Sequence, residues 1–387
     1  MTLVCLAEVA WGYFRTRKRF LLSRLAKLGW RVVYFEPPAF GRGGGLQRRE
    51  DDGVTVVTVP FLKPGTSVAL YNGVASHPWG RWAIESIAAR SLASWCKKLG
   101  IERPVAMISN IYAVGSLAAV SPRLICYDFN DHPLQFPTAP PWAKEYFERT
   151  LAVSDLVFAV SQPYQEQLAR QTDAPVVLLG NGVEYEHFVH PGGTEAASLG
   201  NVPRPRLGYL GKLSTFWDVE LLEKIAASEK GSLVLAGPIP AEMKETIESL
   251  KNRRHVYYLG ECPYGEVPDL FAGLDVGLIP FRAGDRYTLP INPNKLYQYA
   301  AAGLPVVSSP IQGMDSDSAG LYFASSHEEF LAAIGRALEK PPDRGQLLAR
   351  AREHDWDPLA RKMDRVLREQ LAAGHPIEPA AARDLRK

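Results

Sequence analysis

The segment Ile291–Asn292–Pro293–Asn294–Lys295–Leu296–Tyr297–Gln298–Tyr299–Ala300–Ala301–Ala302–Gly303 has the residue types and spacing best suited to chemistry. Asn292 can cap a helix, Pro293 suits a first helical position and Gly303 suits the exit. The predicted helix, Lys295–Ala302, then has an open N-terminus that presents free N–H groups and positive dipole to an anion. Lys295 adds a full charge in the first turn, Asn294 precedes it, and Gln298 three residues on shares its face. A diphosphate at this tip would bring a ribose hydroxyl within reach of Gln298. Alone, the segment reads rather as a surface Lys and Gln on an amphipathic helix. Its context favours the site: Gly211 with Lys212, and Gly237 with Pro238, fall at the carboxyl ends of strand-like runs nearby, where open α/β sheets bind ligands. The candidate phosphate and nucleotide contacts are therefore Gly211, Lys212, Gly237, Asn292, Asn294, Lys295 and Gln298.

Other patterns argue against neighbouring chemistries. A dinucleotide fold needs GxGxxG directly after its first strand, and here Ala10–Trp11–Gly12–Tyr13 follows with a single glycine. Gly41–Arg42–Gly43–Gly44–Gly45 opens no helix and reads as a flexible loop. Gly208–Tyr209–Leu210–Gly211–Lys212–Leu213 is too short for a P-loop and has Leu213 where a hydroxyl should hold magnesium. Asp315–Ser316–Asp317 spells a metal-binding triplet but lies in a Ser/Gly-rich turn. No metal site is expected.

The elements that must position these residues alternate along the chain. Apolar runs at Leu3–Leu6, Arg31–Phe35, Val54–Val59, Val105–Ile108, Leu124–Tyr127, Leu156–Val160 and Val176–Leu179 are separated by helical stretches at Phe14–Leu28, Trp82–Lys98, Trp142–Ala152 and Tyr164–Gln171. This βαβ rhythm predicts a doubly wound lobe over residues 1–190. A Gly/Pro-rich stretch at 191–205 reads as a linker. The rhythm resumes with strands at Leu207–Leu210, Leu233–Ala236, Val256–Leu259, Val276–Phe281 and Val306–Ser308, and helices at Val219–Ala227, Ala241–Leu250 and Val267–Ala272. A second α/β lobe thus spans 206–345. Residues 346–373 follow as helices broken near Asp355–Pro358, and an Ala/Pro-rich tail at 374–387 is expected to be disordered.

Composition fits two such lobes. The 387 residues are 46% hydrophobic and 22% charged, which excludes disorder, collagen and coiled coil. Cys5, Cys96, Cys126 and Cys262 have no CxxC pairing, so they read as free thiols in a reducing, cytoplasmic setting. No run is long and apolar enough to span a membrane, and Glu8 stops the opening run Leu3–Ala7. Net charge is only +2, yet residues 1–50 hold ten Arg or Lys against three acids. That basic bias and an apolar, loop-like stretch from Phe61–Leu62 through Trp79 and Trp82 make peripheral contact with an anionic membrane one reading, against a soluble protein with a basic cleft.

The chain as a whole resembles the GT-B glycosyltransferases, two facing Rossmann-like lobes. The likeness rests on Asn181–Gly182–Val183 with Phe188, on Gly208–Tyr209–Leu210–Gly211–Lys212, and on Asp275–Pro280 through Ala302–Val306. Within that fold Phe14–Arg19, Tyr127–Asp131 and Lys295–Tyr299 look similar to transferases of the xanthan glucuronosyltransferase type and of teichuronic-acid-like polysaccharide assembly. The resemblance implies that a nucleotide diphosphate sugar, with UDP the first choice, binds the second lobe. It implies that a saccharide or lipid-linked acceptor binds the first, and that the C-terminal helix returns to the first lobe. No cofactor beyond this donor and no nucleic acid is expected. The position matching the proposed base of the glucuronosyltransferase is Asp131, and a carboxylate there is chemically apt because a sugar hydroxyl attacks poorly until its proton is taken. Asp128 reads as structural. His132 is the second-choice base, and Trp11, Arg15 and Arg17 join it as candidate acceptor or phosphate contacts. Many retaining members carry Glu-x7-Glu where this chain has Pro290 and Gln298, which favours direct displacement with inversion. A retaining transferase, a nucleotide-sugar-binding protein without turnover and an epimerase remain alternatives.

Overall fold

The structure is a computed structural model and describes residues 1–12, 15–38, 48–63, 69–136, 138–189, 195–213, 215–286, 288–314, 316 and 320–373. The glycine run at 41–45, Asp315, Asp317 and the tail at 374–387 lie outside them. The chain divides into two compact units: Met1–Gly180 with the segment from Asp357 onward, and Asn181–Trp356.

The first unit is built on eight strands, β1 (Thr2–Leu6), β2 (Arg31–Glu36), β3 (Arg48–Asp51), β4 (Val54–Thr58), β5 (Val105–Ile108), β6 (Leu124–Phe129), β7 (Leu156–Ala159) and β8 (Val176–Leu178). They lie in the order β3-β4-β2-β1-β5-β6-β7-β8, parallel throughout except that β3 runs antiparallel to β4. The apolar runs are continuous rather than alternating because helices bury both faces of a parallel sheet; β5, β6 and β7 are buried along their whole length. The strand order reverses between β1 and β5, so the loops after these strands part to leave a crevice. The helix Trp356–Ala372 is anchored in this unit from Asp357 on: Trp30 Nε1 donates to Asp364 Oδ1 at 2.6 Å, and Arg24 pairs with Asp357.

The second unit holds β9 (Arg206–Leu210), β10 (Ser232–Ala236), β11 (Val256–Tyr258), β12 (Val276–Ile279), β13 (Val306–Ser308) and β14 (Leu321–Phe323). All are parallel, in the order β11-β10-β9-β12-β13-β14. Here the reversal falls between β9 and β12.

Four expectations change. The stretch read as loop-like through Trp79 and Trp82 is largely helical, as Ala69–Ser76 and Pro78–Lys98. Its period is hidden because Trp79, Trp82 and Ile87 are 64%, 70% and 50% exposed, putting apolar residues on the solvent side of the helix. The boundary expected at 190 falls at Gly180 instead, because Asn181–Val189 packs into the second unit, where the Phe188 and Phe271 rings stack at 5.5 Å. The described part of the expected linker is also second-unit structure: Leu199 and Val202 are core residues, and Arg204 bonds to Asp275 and Glu195. For the same reason the helix Arg344–Glu353 stays with the second unit, its Leu347 and Ala351 in that core.

Candidate functional site

In the second unit three strands end on glycines with positive φ: Gly211 after β9 (131°), Gly237 after β10 (133°) and Gly260 after β11 (80°). The sequence reading did not single out Gly260. Each turn is tied to the next strand, with Gly211 N–H donating to Ala236 O at 2.9 Å and Gly237 N–H to Gly260 O at 2.8 Å. A Cβ on Gly237 would come 2.1 Å from the Gly211 carbonyl oxygen, and one on Gly211 would come 2.6 Å from Lys295 Nζ. Only glycine permits this stacking of turns under the ammonium.

Lys295 arrives there on the helix Asn294–Ala301. Tyr299 fixes that helix to the sheet: its hydroxyl donates to Gly208 O at 3.1 Å and accepts from Leu210 N–H at 3.2 Å. Its ring occupies the space a side chain at Gly277 would fill. Lys295 Nζ lies over the Tyr209 ring at 4.8 Å and has no acidic partner among the described residues. The capping expectation is corrected. Pro293 stands at the N-cap with no side-chain bond to the first turn, and Asn292 lies one residue before it. Its carbonyl accepts from Asn181 Nδ2 at 2.7 Å, whereas its buried Oδ1 and that of Asn294 have no partner among the described residues. The first N–H groups of the helix are thus left open. Gln298, half-buried, sits one turn on from Lys295, and Lys212 is exposed beside Gly211. The structure therefore brings together the second-unit residues that the sequence singled out.

The first unit has its own cavity of about 310 Å³ at the reversal point of its sheet. Asp131 lines it, following β6, with its Oδ2 accepting from Asn130 Nδ2 at 2.6 Å. As a residue Asp131 is exposed, yet the fold crowds its carboxyl. Burial, reinforced by Glu8 and opposed by Lys18, pushes its pKa above the ordinary aspartate value. Glu8, at the end of β1, accepts from Ser109 Oγ at 2.7 Å and from Lys18 Nζ at 2.5 Å. Ser109, Lys18, Lys63 and Tyr112 also line the cavity. Glu8 was not among the candidates read from the sequence, although an acid ending the buried run Leu3–Ala7 was the available signal.

Other first-unit candidates are placed elsewhere. Arg17 is 3% exposed and spends its charge on the fold: Nε donates to the Asp128 carboxylate at 3.1 and 3.3 Å, and Nη1 to Gly180 O at 2.5 Å. Asp128 is structural, as expected. Trp11 is a core residue, its Nε1 donating to Asp51 at 3.1 Å and its ring edge-on to Tyr34. His132 is engaged on both nitrogens, Nδ1 accepting from Leu134 N–H at 3.3 Å and Nε2 lying 3.3 Å from Gln167. Burial lowers its pKa, and it lines a separate cavity rather than that of Asp131. Arg15 is exposed.

Residues 204–340 match the family model described as glycosyl transferases group 1. Among curated proteins, the provisionally assigned teichuronic acid biosynthesis glycosyltransferase TuaH of Bacillus subtilis (strain 168) is 26% identical over 192 residues, 47% of this chain and 48% of that protein. The match thus spans about half the length of the relative. Among solved structures, sucrose-phosphate synthase from Thermosynechococcus elongatus superposes with a TM-score of 0.72 at 14% identity, over 96% of this chain and 99% of that one. A trehalose-6-phosphate structure from E. coli bound with UDP-2-fluoro glucose gives 0.70 at 14% identity, over 98% and 100%. HepE of Anabaena, in complex with UDP and glucose, gives 0.66 at 14% identity, over 95% and 100%. At such identities the structural likeness speaks for the fold. The chain therefore has the fold of the GT-B glycosyltransferases, and its residues 204–340 are similar to the glycosyl transferases group 1 domain.

Proposed function

We propose that this protein transfers a sugar from a nucleotide diphosphate sugar to an acceptor hydroxyl in polysaccharide or glycolipid assembly. The observation that carries the donor half is the stack of Gly211 and Gly237 beneath the Lys295 ammonium, beside an uncapped helix N-terminus. Backbone and charge there suit a diphosphate. UDP is the nucleotide of choice, supported by its presence in the HepE structure of the same fold. Asn292, Asn294, Gln298 and Lys212 complete the donor contacts.

The first unit supplies the acceptor site and Asp131 the base. The acceptor O–H proton passes to the Asp131 carboxylate as its oxygen bonds to the anomeric carbon, and the anomeric C–O bond to the diphosphate breaks. Lys295 and Lys212 offset the charge that builds on the leaving group. Displacement in one step inverts the anomeric centre, so the anomer of the product separates this route from retention. The test is to incubate the protein with UDP-sugars and saccharide acceptors: UDP should be released only when an acceptor is present. Binding of a UDP-sugar with no release under any acceptor would leave a binding protein and end the transferase reading.

The reading includes peripheral contact of the first unit with an anionic membrane and a lipid-linked acceptor. Exposed Leu70, Trp79, Trp82, Ile87 and Phe136 support it, since such side chains insert at the acyl boundary. The basic bias of residues 1–50 supports it less than its count suggests, because Arg17, Lys18, Arg19, Arg24 and Arg49 are spent on ion pairs. Flotation with anionic liposomes should therefore recover the protein at low salt and still in part at moderate salt. Absence from the liposome fraction at both would remove the membrane from the reading.

A further inference from the structure

The first-unit cavity is lined by Glu8, Lys18, Lys63, Asp128 and Asp131, and their pairing leaves a remainder. Lys18 is bound to Glu8 at 2.5 Å, and Asp128 to Arg17 at 3.1 Å. These four charges cancel within the fold. Among the described residues Asp131 is held only by the neutral amide of Asn130, at 2.6 Å. Lys63 is the other uncommitted charge: its ammonium has neither a hydrogen bond nor an ion pair among the described residues.

The placement of Lys63 is fixed by its backbone. Its N–H donates to Tyr71 Oη at 2.9 Å, and that hydroxyl donates to Phe61 O at 3.2 Å, which ties the segment to the helix Ala69–Ser76. The side chain is half-buried, and burial pulls its pKa down even though the charge of Glu8 acts to raise it. The neighbouring walls are largely apolar, with Leu62, Ile111, Tyr112 and Phe136 among them. An unpaired cation there lacks both full hydration and a counter-charge, and an anion entering such a site would gain more than it would in open water. A neutral sugar would leave the ammonium unsatisfied. Lys18 cannot serve in its place, because releasing it would strand Glu8.

We propose that this cavity takes an acceptor bearing an anionic group, a carboxylate or a phosphate, that Lys63 reads that group, and that Asp131 faces the hydroxyl to be glycosylated. The inference rests on the acceptor role given to the first unit above, and it narrows the acceptor from any saccharide to an acidic or phosphorylated one. The remaining negative charge of the cavity, on Asp131, favours the anion at the Lys63 side and the neutral hydroxyl at its own.

The test measures binding to the full chain without donor, by ligand-observed NMR at millimolar concentration. The probes are methyl glucuronoside, glucose 1-phosphate and the neutral methyl glucoside. At least one charged probe should bind about tenfold or more tighter than the neutral one, as a charge-assisted hydrogen bond predicts. Lys63→Gln should erase that preference, and Lys63→Arg should largely keep it. Tighter binding of the glucuronoside points to an acidic sugar as acceptor, and tighter binding of glucose 1-phosphate to a phosphorylated one; either supports the inference. No preference for a charged probe in the wild type, no binding of either one, or a preference that survives in Lys63→Gln overturns it. Near-UV circular dichroism and thermal melting of each variant report whether the first unit is folded, and UDP affinity is measured separately as a probe of the second unit. Failure of UDP to bind would strike the donor reading and leave the result at Lys63 standing.

Discussion

Asp131→Asn should abolish transfer, lowering kcat by about a hundredfold to ten-thousandfold, while UDP affinity stays at the wild-type value. Asparagine keeps the size of the side chain but cannot accept a proton at neutral pH. The fold is not at risk, since among the described residues Asp131 bonds only to Asn130, and it is exposed as a residue. The raised pKa adds two signatures. The base works only when ionised, so the acid limb of the pH–rate profile should lie above the ordinary aspartate range. Stability should move in the opposite sense. A carboxyl with a raised native pKa holds its proton more tightly in the fold than in the unfolded chain. Its ionisation therefore costs stability above the native value, and the cost fades as pH falls through the unfolded value. Asp131→Asn should raise Tm slightly at neutral pH and leave it unchanged in acid. A variant that keeps more than roughly a third of wild-type turnover would show that Asp131 is not the base. His132 would not inherit the role, because it faces another cavity with both nitrogens engaged. A retaining mechanism would then lead.

The grouping of residues proposed as the donor half was legible because its logic is local. Strand-end glycines and a helix start with Asn, Pro and Lys announce themselves in one short segment each, and the structure puts Lys295 against Gly211. The cavity proposed as the acceptor half was not legible, because it is assembled by charge pairing across long separations. Arg17 and Asp128 lie 111 residues apart in sequence, and Ser109 and Glu8 lie 101 apart. Nothing local distinguishes the committed Arg17 and Lys18 from the uncommitted Lys63. The strand rhythm was readable because parallel strands buried on both faces make unbroken apolar runs. Two kinds of element broke that rule. The edge strand Arg48–Asp51 is fully polar, as exposed edges tend to be, and the helix Pro78–Lys98 turns tryptophans outward. The domain boundary slipped for a related reason: a Gly/Pro-rich composition marks irregular backbone but does not say which core that backbone packs against.

Lys295→Ala should weaken UDP binding about tenfold to a hundredfold, the loss expected for one charge-assisted hydrogen bond to phosphate. The fold should persist, since Lys295 holds no ion pair among the described residues and gives up only its contact with the Tyr209 ring. Wild-type affinity should fall with added salt, and that of the variant should fall less. Gln298→Ala should cost less, and the cost should vanish when 2′-deoxy-UDP replaces UDP if the side chain bonds the 2′-hydroxyl of the ribose. The geometry permits a stricter test through a residue that carries no charge. A Cβ on Gly211 would stand 2.6 Å from Lys295 Nζ and 2.7 Å from its Cε, so Gly211→Ala must displace the ammonium. It also strains a backbone at φ 131°, which adds a stability cost on the order of 1–3 kcal/mol. In binding, however, Gly211→Ala should reproduce the loss seen in Lys295→Ala, and the double variant should bind UDP no worse than either single one. Residues that act through one ammonium cannot lose it twice. Additive losses in this cycle, or an unchanged affinity in Lys295→Ala measured by calorimetry, would place the diphosphate somewhere other than over Gly211.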